Sequence, residues 1–175
     1  MFDLEGYTPP VRDHVDRIFE QWEVERPELD RSAMAVLARV LRAARLVDLE
    51  MGEVFTDFGL NRGEFDVLAS LRRAGAPYRL KPSDLSTTLL LSTGAMTNRV
   101  DRLEGAGLVR RLPDPEDRRA VLVELTARGR GLIDRVLGVH VANEERILSH
   151  LSAQERRTLT ALLRKLLVSL EMSNS

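Results

Sequence analysis

The chain has 175 residues, a net charge of −1 and no cysteine, and 43% of its residues are hydrophobic. This apolar content is sufficient for a folded core, and the lack of cysteine excludes disulfides, thiol redox sensing and cysteine-ligated zinc. No apolar run approaches the roughly 20 residues that cross a bilayer, and the acidic N-terminus is unlike a secretion signal. These features predict a soluble cytoplasmic protein.

Charge is distributed unevenly along the chain. Residues 1–30 include nine acidic and three basic residues, a net charge of −6, whereas residues 79–131 include ten basic and seven acidic residues, a net charge of +3. A chain that is nearly neutral overall can still present a positive surface locally. Residues 79–131 are therefore a candidate for binding nucleic acid, the alternative being ordinary solvated surface.

Two helices are predicted at the start of the chain. Apolar residues recur every three or four positions over 11–25 and again over 31–58, which is the spacing of one helical face. Ser32 is a candidate N-cap for the second helix. Gly59 fits the left-handed position that ends a helix.

Three shorter helices and a hairpin are predicted next. The helices lie over 61–73, 82–90 and 92–104, and Asn61 and Glu64 have the spacing of a capping box for the first of them. The period then changes to two in the segments 108–112 and 120–125, which flank a charged, proline-rich turn. Short helices followed by a small hairpin are the order of a winged helix-turn-helix, so the expected fold is mainly α with a β-hairpin wing.

The C-terminal part is predicted to form two long helices, 126–148 and 153–170, with Thr126 as the first cap and Ser152 with Glu155 as a second capping box. We expect the last helix to bury five leucines: Leu159, Leu162, Leu163, Leu166 and Leu170. The long helices have more apolar face than so small a domain needs, so we expect them to pack against a second copy in a homodimer. The expected divisions are an N-terminal extension at 1–30, a dimerisation region at 31–60 and 126–175, and a DNA-binding domain at 61–125.

The segment 92–104 has the two faces that a DNA recognition helix needs. Its apolar stripe is formed by Met96, Val100 and Leu103. The residues expected to contact DNA from this helix are Ser92, Thr93, Thr97, Asn98 and Arg102. The alternative is an amphipathic helix whose polar face only meets water.

The turn of the hairpin adds Asp117, Arg118 and Arg119 to the expected DNA contacts. A guanidinium fits the narrow minor groove, where the potential is most negative, and Asp117 is placed to hold Arg118 extended. The alternative is a solvated charged turn.

Three segments resemble the MarR family of bacterial regulators: GEFDVLASLRRAG at 63–75, LSTGAMTNRVDRLEGAGLVRR at 91–111 and DPEDRRAVLVELTARGR at 114–130. The resemblance covers about residues 30–170. It implies a dimeric winged-helix repressor, nucleoid-associated when bound to an inverted-repeat operator, that small aromatic or anionic ligands release. It also implies control of a divergently transcribed neighbouring gene.

The segment WEVERPELDRSAM at 22–34 resembles the urate-responsive, PecS/HucR-like branch of that family. This resemblance implies a ligand site formed by Trp22, Asp66, Arg99 and Arg111. Whether Arg110 or Arg111 faces the site stays open.

The helical period supports part of that site. At about 100° per residue, Arg99 falls on the inward side of its helix, where a guanidinium needs a partner such as Asp66. An anionic ligand would compete for Arg99 and repel Asp66, which would move the recognition helix. The alternatives are a fixed structural salt bridge for this pair and a core anchor for Trp22.

The function expected is that of a ligand-responsive repressor released by urate or a similar anion. Alternatives are a regulator that answers citrate, aconitate or a phenolic ligand, and a ligand-independent DNA-binding protein. An enzyme is disfavoured, because no catalytic cluster, glycine-rich phosphate loop or metal-ligand spacing is present. We therefore expect no catalytic residue, cofactor or metal.

Overall fold

The structure is a computed structural model that describes residues 12–117 and 120–173. The chain forms two compact units, which divide between Asp48 and Leu49, inside the second helix. None of the helices in the described residues is long and apolar enough to cross a membrane.

The first unit contains helix α1, His14–Glu25, and the first part of helix α2, Ser32–Thr56. Asp13 caps α1 by accepting the N–H groups of Val15 and Asp16. The Arg39 guanidinium of α2 lies 2.7 Å from the Asp13 carboxylate and 2.5 Å from the Asp16 carboxylate. These two ion pairs fix α1 beside α2. The helix over 11–25 is confirmed from residue 14 onward, because the Asp13 cap sets its start.

The start of α2 differs slightly from the prediction. Ser32 is the first residue of the helix, and its N–H donates to the Asp30 carboxylate at 2.9 Å. The expected capping role of Ser32 is therefore wrong, because Ser32 lies inside the helix and its own N–H is bound by the carboxylate two residues upstream. Gly59 has φ +69, as the predicted left-handed position after α2 requires.

The second unit contains the rest of α2 and every later element. Its helices are α3 Arg62–Arg73, α4 Pro82–Thr88, α5 Thr93–Gly105, α6 Ala127–Ile147 and α7 Ala153–Ser173. Its strands are β1 Arg79–Leu80, β2 Val109–Pro113 and β3 Val121–Leu125. They form one antiparallel sheet in the order β1-β3-β2, so β2 and β3 are the predicted hairpin and β1 is a third strand that the sequence did not predict.

An aromatic cluster lies in the core of this unit. The Phe55 ring, with no exposed surface, stacks on Phe65 at a centroid distance of 4.3 Å. The ring of His140, which is also buried, lies 4.7 Å from Phe65 and 5.4 Å from Phe55. Three elements, α2, α3 and α6, therefore meet through these rings.

Replacing Phe55 by alanine should lower the free energy of unfolding by about 3–5 kcal/mol, the cost of removing a fully buried aromatic ring. Two neighbouring rings, Phe65 and His140, lose their partner, and a cavity is left behind. Urea denaturation at a fixed protein concentration measures the effect. A loss below about 1 kcal/mol would contradict this account of the core.

The leucines of α7 do not lie in the core. No residue of α7 is buried within the chain, and Leu162, Leu167 and Leu170 are 62%, 55% and 51% exposed. Within one chain, the described residues therefore leave these leucines uncovered, and their expected burial, which includes packing against a second copy, stays a prediction.

Candidate functional site

Helix α5 has the two faces that the sequence predicted. Its inner stripe, Met96, Val100 and Leu103, is buried, with each residue 1% exposed. The Ser92 hydroxyl caps the helix by accepting the Ala95 N–H at 3.3 Å, so the expected N-cap is confirmed. Because α4 ends only a few residues earlier, the two helices form the predicted helix-turn-helix.

The outer face of α5 is polar and exposed. Thr93, Thr97, Asn98 and Arg102 are all exposed, and the Thr97 hydroxyl donates to the Thr93 carbonyl at 2.9 Å. The Arg102 guanidinium lies 3.9 Å from Glu64 and keeps 65% of its side chain exposed. These groups are placed to meet base edges and phosphates, and their contact with DNA stays a prediction.

The tip of the wing is described only in part. Asp117 is exposed, and its carbonyl accepts the Ala120 N–H at 2.9 Å. Arg118 and Arg119 lie outside the described residues, so their expected contacts with the minor groove stay predictions.

The base of the wing is held by a pair that the sequence did not predict. Asp114 is 6% exposed, accepts the Glu116 N–H at 2.9 Å and lies 3.1 Å from the Lys81 ammonium. Lys81 is the residue just before α4. The pair therefore ties the wing to the first helix of the helix-turn-helix.

The same contacts shift both pKa values. The Glu116 N–H, and then the Lys81 ammonium, lower the pKa of Asp114, while the hydrogen bond to Asp114 raises the pKa of Lys81. A lowered carboxyl pKa stabilises the fold above the ordinary value of about 3.9, and this stabilisation is lost as the pH falls through the folded pKa.

Asp114→Asn should lower stability by a constant amount at neutral pH, and the difference from the parent protein should shrink as the pH falls below about 4. The reason is that Asp114, once protonated, loses its ionic contact with Lys81, and the amide that replaces it in the variant lacks that contact at every pH. Urea midpoints measured between pH 7 and pH 3 test this, with the exposed Glu116→Gln as the control. A difference that stays constant down to pH 3 would disprove the assignment.

Arg99 points inward, as the helical period predicted. It is half-buried, and its Nη1 donates to the Gly63 carbonyl in the first turn of α3 at 3.4 Å. The approach is so close that a Cβ on Gly63 would overlap the guanidinium. Asp66 lies one turn further along α3, where its carboxylate is 4.0 Å from Arg62, and the expected pairing of Asp66 with Arg99 stays a prediction.

Arg110 and Arg111 lie on opposite faces of β2, as neighbours on a strand must. Arg111 lies against α5: its Nη2 is 2.6 Å from Asp101, its Nη1 contacts Glu104, and its N–H donates to Glu104 at 2.8 Å. Arg110 instead bonds Glu124 on the other face of the sheet at 2.5 Å. Of the two, Arg111 is therefore the one beside the recognition helix.

Trp22 lies on α1 in the first unit and is 39% exposed. The remaining three expected ligand-site residues all lie in the second unit, on α3, α5 and β2. The participation of Trp22 in a shared site stays a prediction.

Known proteins are similar to this chain in sequence and in fold. Residues 60–121 match the model of the MarR family. The HTH-type transcriptional regulator PecS of Dickeya dadantii is 45% identical over 149 residues, which cover 85% of this chain and 90% of that protein.

Solved structures agree with this assignment. AbsC, a MarR family transcriptional regulator from Streptomyces coelicolor, superposes with a TM-score of 0.75 at 26% identity, over 82% of this chain and 97% of that one. A mutant of Escherichia coli MarR, solved in complex with operator DNA, superposes with a TM-score of 0.69 at 31% identity, over 78% of this chain and 97% of that one.

These similarities confirm the predicted winged helix-turn-helix. They also confirm the expectation of a regulator instead of an enzyme, because the relatives are transcriptional regulators. The chain belongs to the MarR family of DNA-binding transcriptional regulators.

Proposed function

We propose that this protein is a repressor that binds an inverted-repeat operator as a homodimer and is released by a small anionic ligand such as urate. The observation that carries the proposal is the position of Arg99. Its guanidinium lies inward against Gly63, while Thr97 and Asn98 of the same helix are exposed for DNA. A ligand bound at Arg99 would therefore act directly on the helix that reads DNA.

The contacts of Arg111 support a mechanism for this coupling. Asp101 and Glu104 of α5 both bind its guanidinium, so β2 holds the recognition helix through charge. An anion that engages Arg99 and Arg111 would compete with these carboxylates and be repelled by them and by Asp66. Binding would then move α5 away from the position that suits DNA.

A second copy of the chain is the partner that best fits α7. This helix leaves its leucines exposed along its length, and exposed apolar surface of this extent marks an interaction site. A two-fold dimer would place two copies of α5 about 34 Å apart, which matches successive major grooves. The solved complex of the relative MarR with operator DNA supports duplex DNA as the target.

Gel-shift titration with the intergenic DNA upstream of the gene tests this proposal. We expect a complex at low salt that urate dissociates, and an Arg99→Gln complex that resists urate. Release by citrate, aconitate or a phenolic acid instead would revise the ligand alone. A complex that no anion weakens would favour a ligand-independent DNA-binding protein, and no complex with any palindrome there would end the proposal.

A further inference from the structure

A pocket of about 400 Å³ lies at the base of the wing, on the face of the sheet opposite to α5. Tyr78, Arg110, Glu124 and Arg130 line it, together with Thr126 at the start of α6. Arg110 bonds Glu124 on this face, whereas Arg111 lies against α5. The pocket is therefore separate from the ligand site proposed around Arg99 and Arg111.

Glu124 is shared by two guanidinium groups. It is 7% exposed, and Arg110 donates to its Oε1 from both Nε, at 3.1 Å, and Nη2, at 2.5 Å. Arg79 Nε lies 3.3 Å from the other oxygen, because β1, β3 and β2 place these three residues side by side. The row has one negative and two positive charges, and the carboxylate fixes the direction of Arg110.

Tyr78 contacts the other arginine of the pocket, Arg130. The Arg130 guanidinium lies 5.6 Å from the centre of the Tyr78 ring, and Arg72 lies 5.1 Å from the same centre. Arg72 is neutralised by Asp134 at 2.7 Å. In the described part of the chain, no carboxylate lies within 4.0 Å of Arg130, so its charge adds to the excess at Glu124.

Tyr78 also holds a backbone conformation that suits glycine better, with φ +61. Such a conformation costs free energy, and it persists only where the surrounding contacts impose it. The backbone of Tyr78 is thus held in this conformation beside Arg72 and Arg130.

We propose that this pocket binds a small oxyanion, with its phosphate or carboxylate group held between Arg110 and Arg130. Arg110 is already oriented by Glu124 and Arg130 lies over the Tyr78 ring, so binding requires less ordering of side chains than free arginines would need. A guanidinium also matches the oxygen geometry of phosphate and carboxylate groups. The anion would neutralise part of the positive charge that Arg79, Arg110 and Arg130 have in excess over Glu124.

Isothermal titration of the full chain with inorganic phosphate, at constant ionic strength in sodium chloride, tests the site. We expect saturable binding, and Arg130→Gln should weaken it by about tenfold, the usual effect of removing one charged hydrogen-bond donor. Arg110→Gln should weaken it similarly. The control is Arg128→Gln, on the same turn of α6 but outside the pocket, which should leave the affinity unchanged.

The same variants distinguish a soluble anion from a backbone phosphate of DNA. Binding to a duplex of unrelated sequence is measured at several salt concentrations. The proposal expects Arg130→Gln to leave the salt slope as it is, whereas a contact with a DNA phosphate would reduce that slope by about one. A reduced slope, an absence of phosphate binding, or equal weakening by Arg128→Gln would each overturn the proposal.

Discussion

Gly129→Ala should lower the free energy of unfolding by about 3 kcal/mol or more, one of the larger losses available to a single added methyl group. Gly129 lies in the first turn of α6 and is buried. An added Cβ would overlap the Leu108 carbonyl oxygen and approach the carbonyl carbon to 2.9 Å and Cα to 3.2 Å. These are backbone atoms, so no side chain can turn aside to relieve the overlap.

The surrounding hydrogen bonds prevent α6 from moving away. The Thr126 N–H donates to the Leu108 carbonyl at 3.1 Å, and the Thr126 hydroxyl donates to the Gly107 carbonyl at 2.8 Å. A shift large enough to accept the Cβ would break both bonds and separate α6 from the start of β2. Loss of stability should therefore be accompanied by loss of DNA binding.

Gly131→Ala is the matched control, two residues further along the same helix. Among the residues that the structure describes, a Cβ there would meet only the end of the Arg135 side chain, at 3.9 Å, which is an ordinary contact. Since alanine favours a helix over glycine by up to about 1 kcal/mol, this variant should be as stable as the parent or more so. Urea denaturation of both variants decides the matter, and equal stability of the two would refute the close approach at Gly129.

The starts of α3 and α6 could be predicted because capping is a local interaction. Asn61 and Glu64 bond each other's backbone N–H groups, at 3.0 and 2.9 Å, within four residues of chain. The same is true of Thr126, which accepts the Gly129 N–H at 3.0 Å. Each of these caps can be recognised from residue types at fixed spacing, without knowledge of the tertiary structure.

Features that depend on distant parts of the chain could not be predicted in this way. The strand β1 has two residues, which are too few to show a period, and it is a strand only because β3 lies beside it. The contact between Lys81 and Asp114 joins two segments that the sequence pattern does not relate. Periodicity indicates the face on which Arg99 lies, but its contact with Gly63 is made across 36 residues.

The choice between Arg110 and Arg111 shows the same limit. Alternation along a strand places the two side chains on opposite faces, but it does not identify the face that packs against α5. The contacts of Arg111 with Asp101 and Glu104 of α5 resolve the question. The environment of the α7 leucines cannot be predicted from contacts within one chain, because the surface expected to cover them belongs to another copy.

Gly63→Ala should make the regulator much less sensitive to its ligand while the fold and the operator complex are retained. The added Cβ would occupy the space of the Arg99 guanidinium, which is the end of a flexible side chain and can move away. The charge of Arg99 is retained, but its hydrogen bond to the Gly63 carbonyl is lost. If the inward position of the Arg99 guanidinium is the one that binds the anion, more ligand is needed to release the operator DNA. The ligand concentration that releases half of the DNA should then rise by about tenfold to a hundredfold, because one or two charged hydrogen bonds are lost.

Gly63→Ala changes the position of the Arg99 guanidinium and keeps its charge, so two further variants are needed for comparison. Gly105→Ala, at the end of α5, adds the same methyl group to open space and should leave both stability and ligand response unchanged. Arg99→Gln removes the charge itself and should match Gly63→Ala in ligand response, with operator affinity within about threefold of the parent in both. If Gly63→Ala responds to urate like the parent while Arg99→Gln does not, Arg99 senses the ligand from some other position. If both respond normally, the inward guanidinium holds α5 on α3 as a structural contact, and the sensor must lie elsewhere.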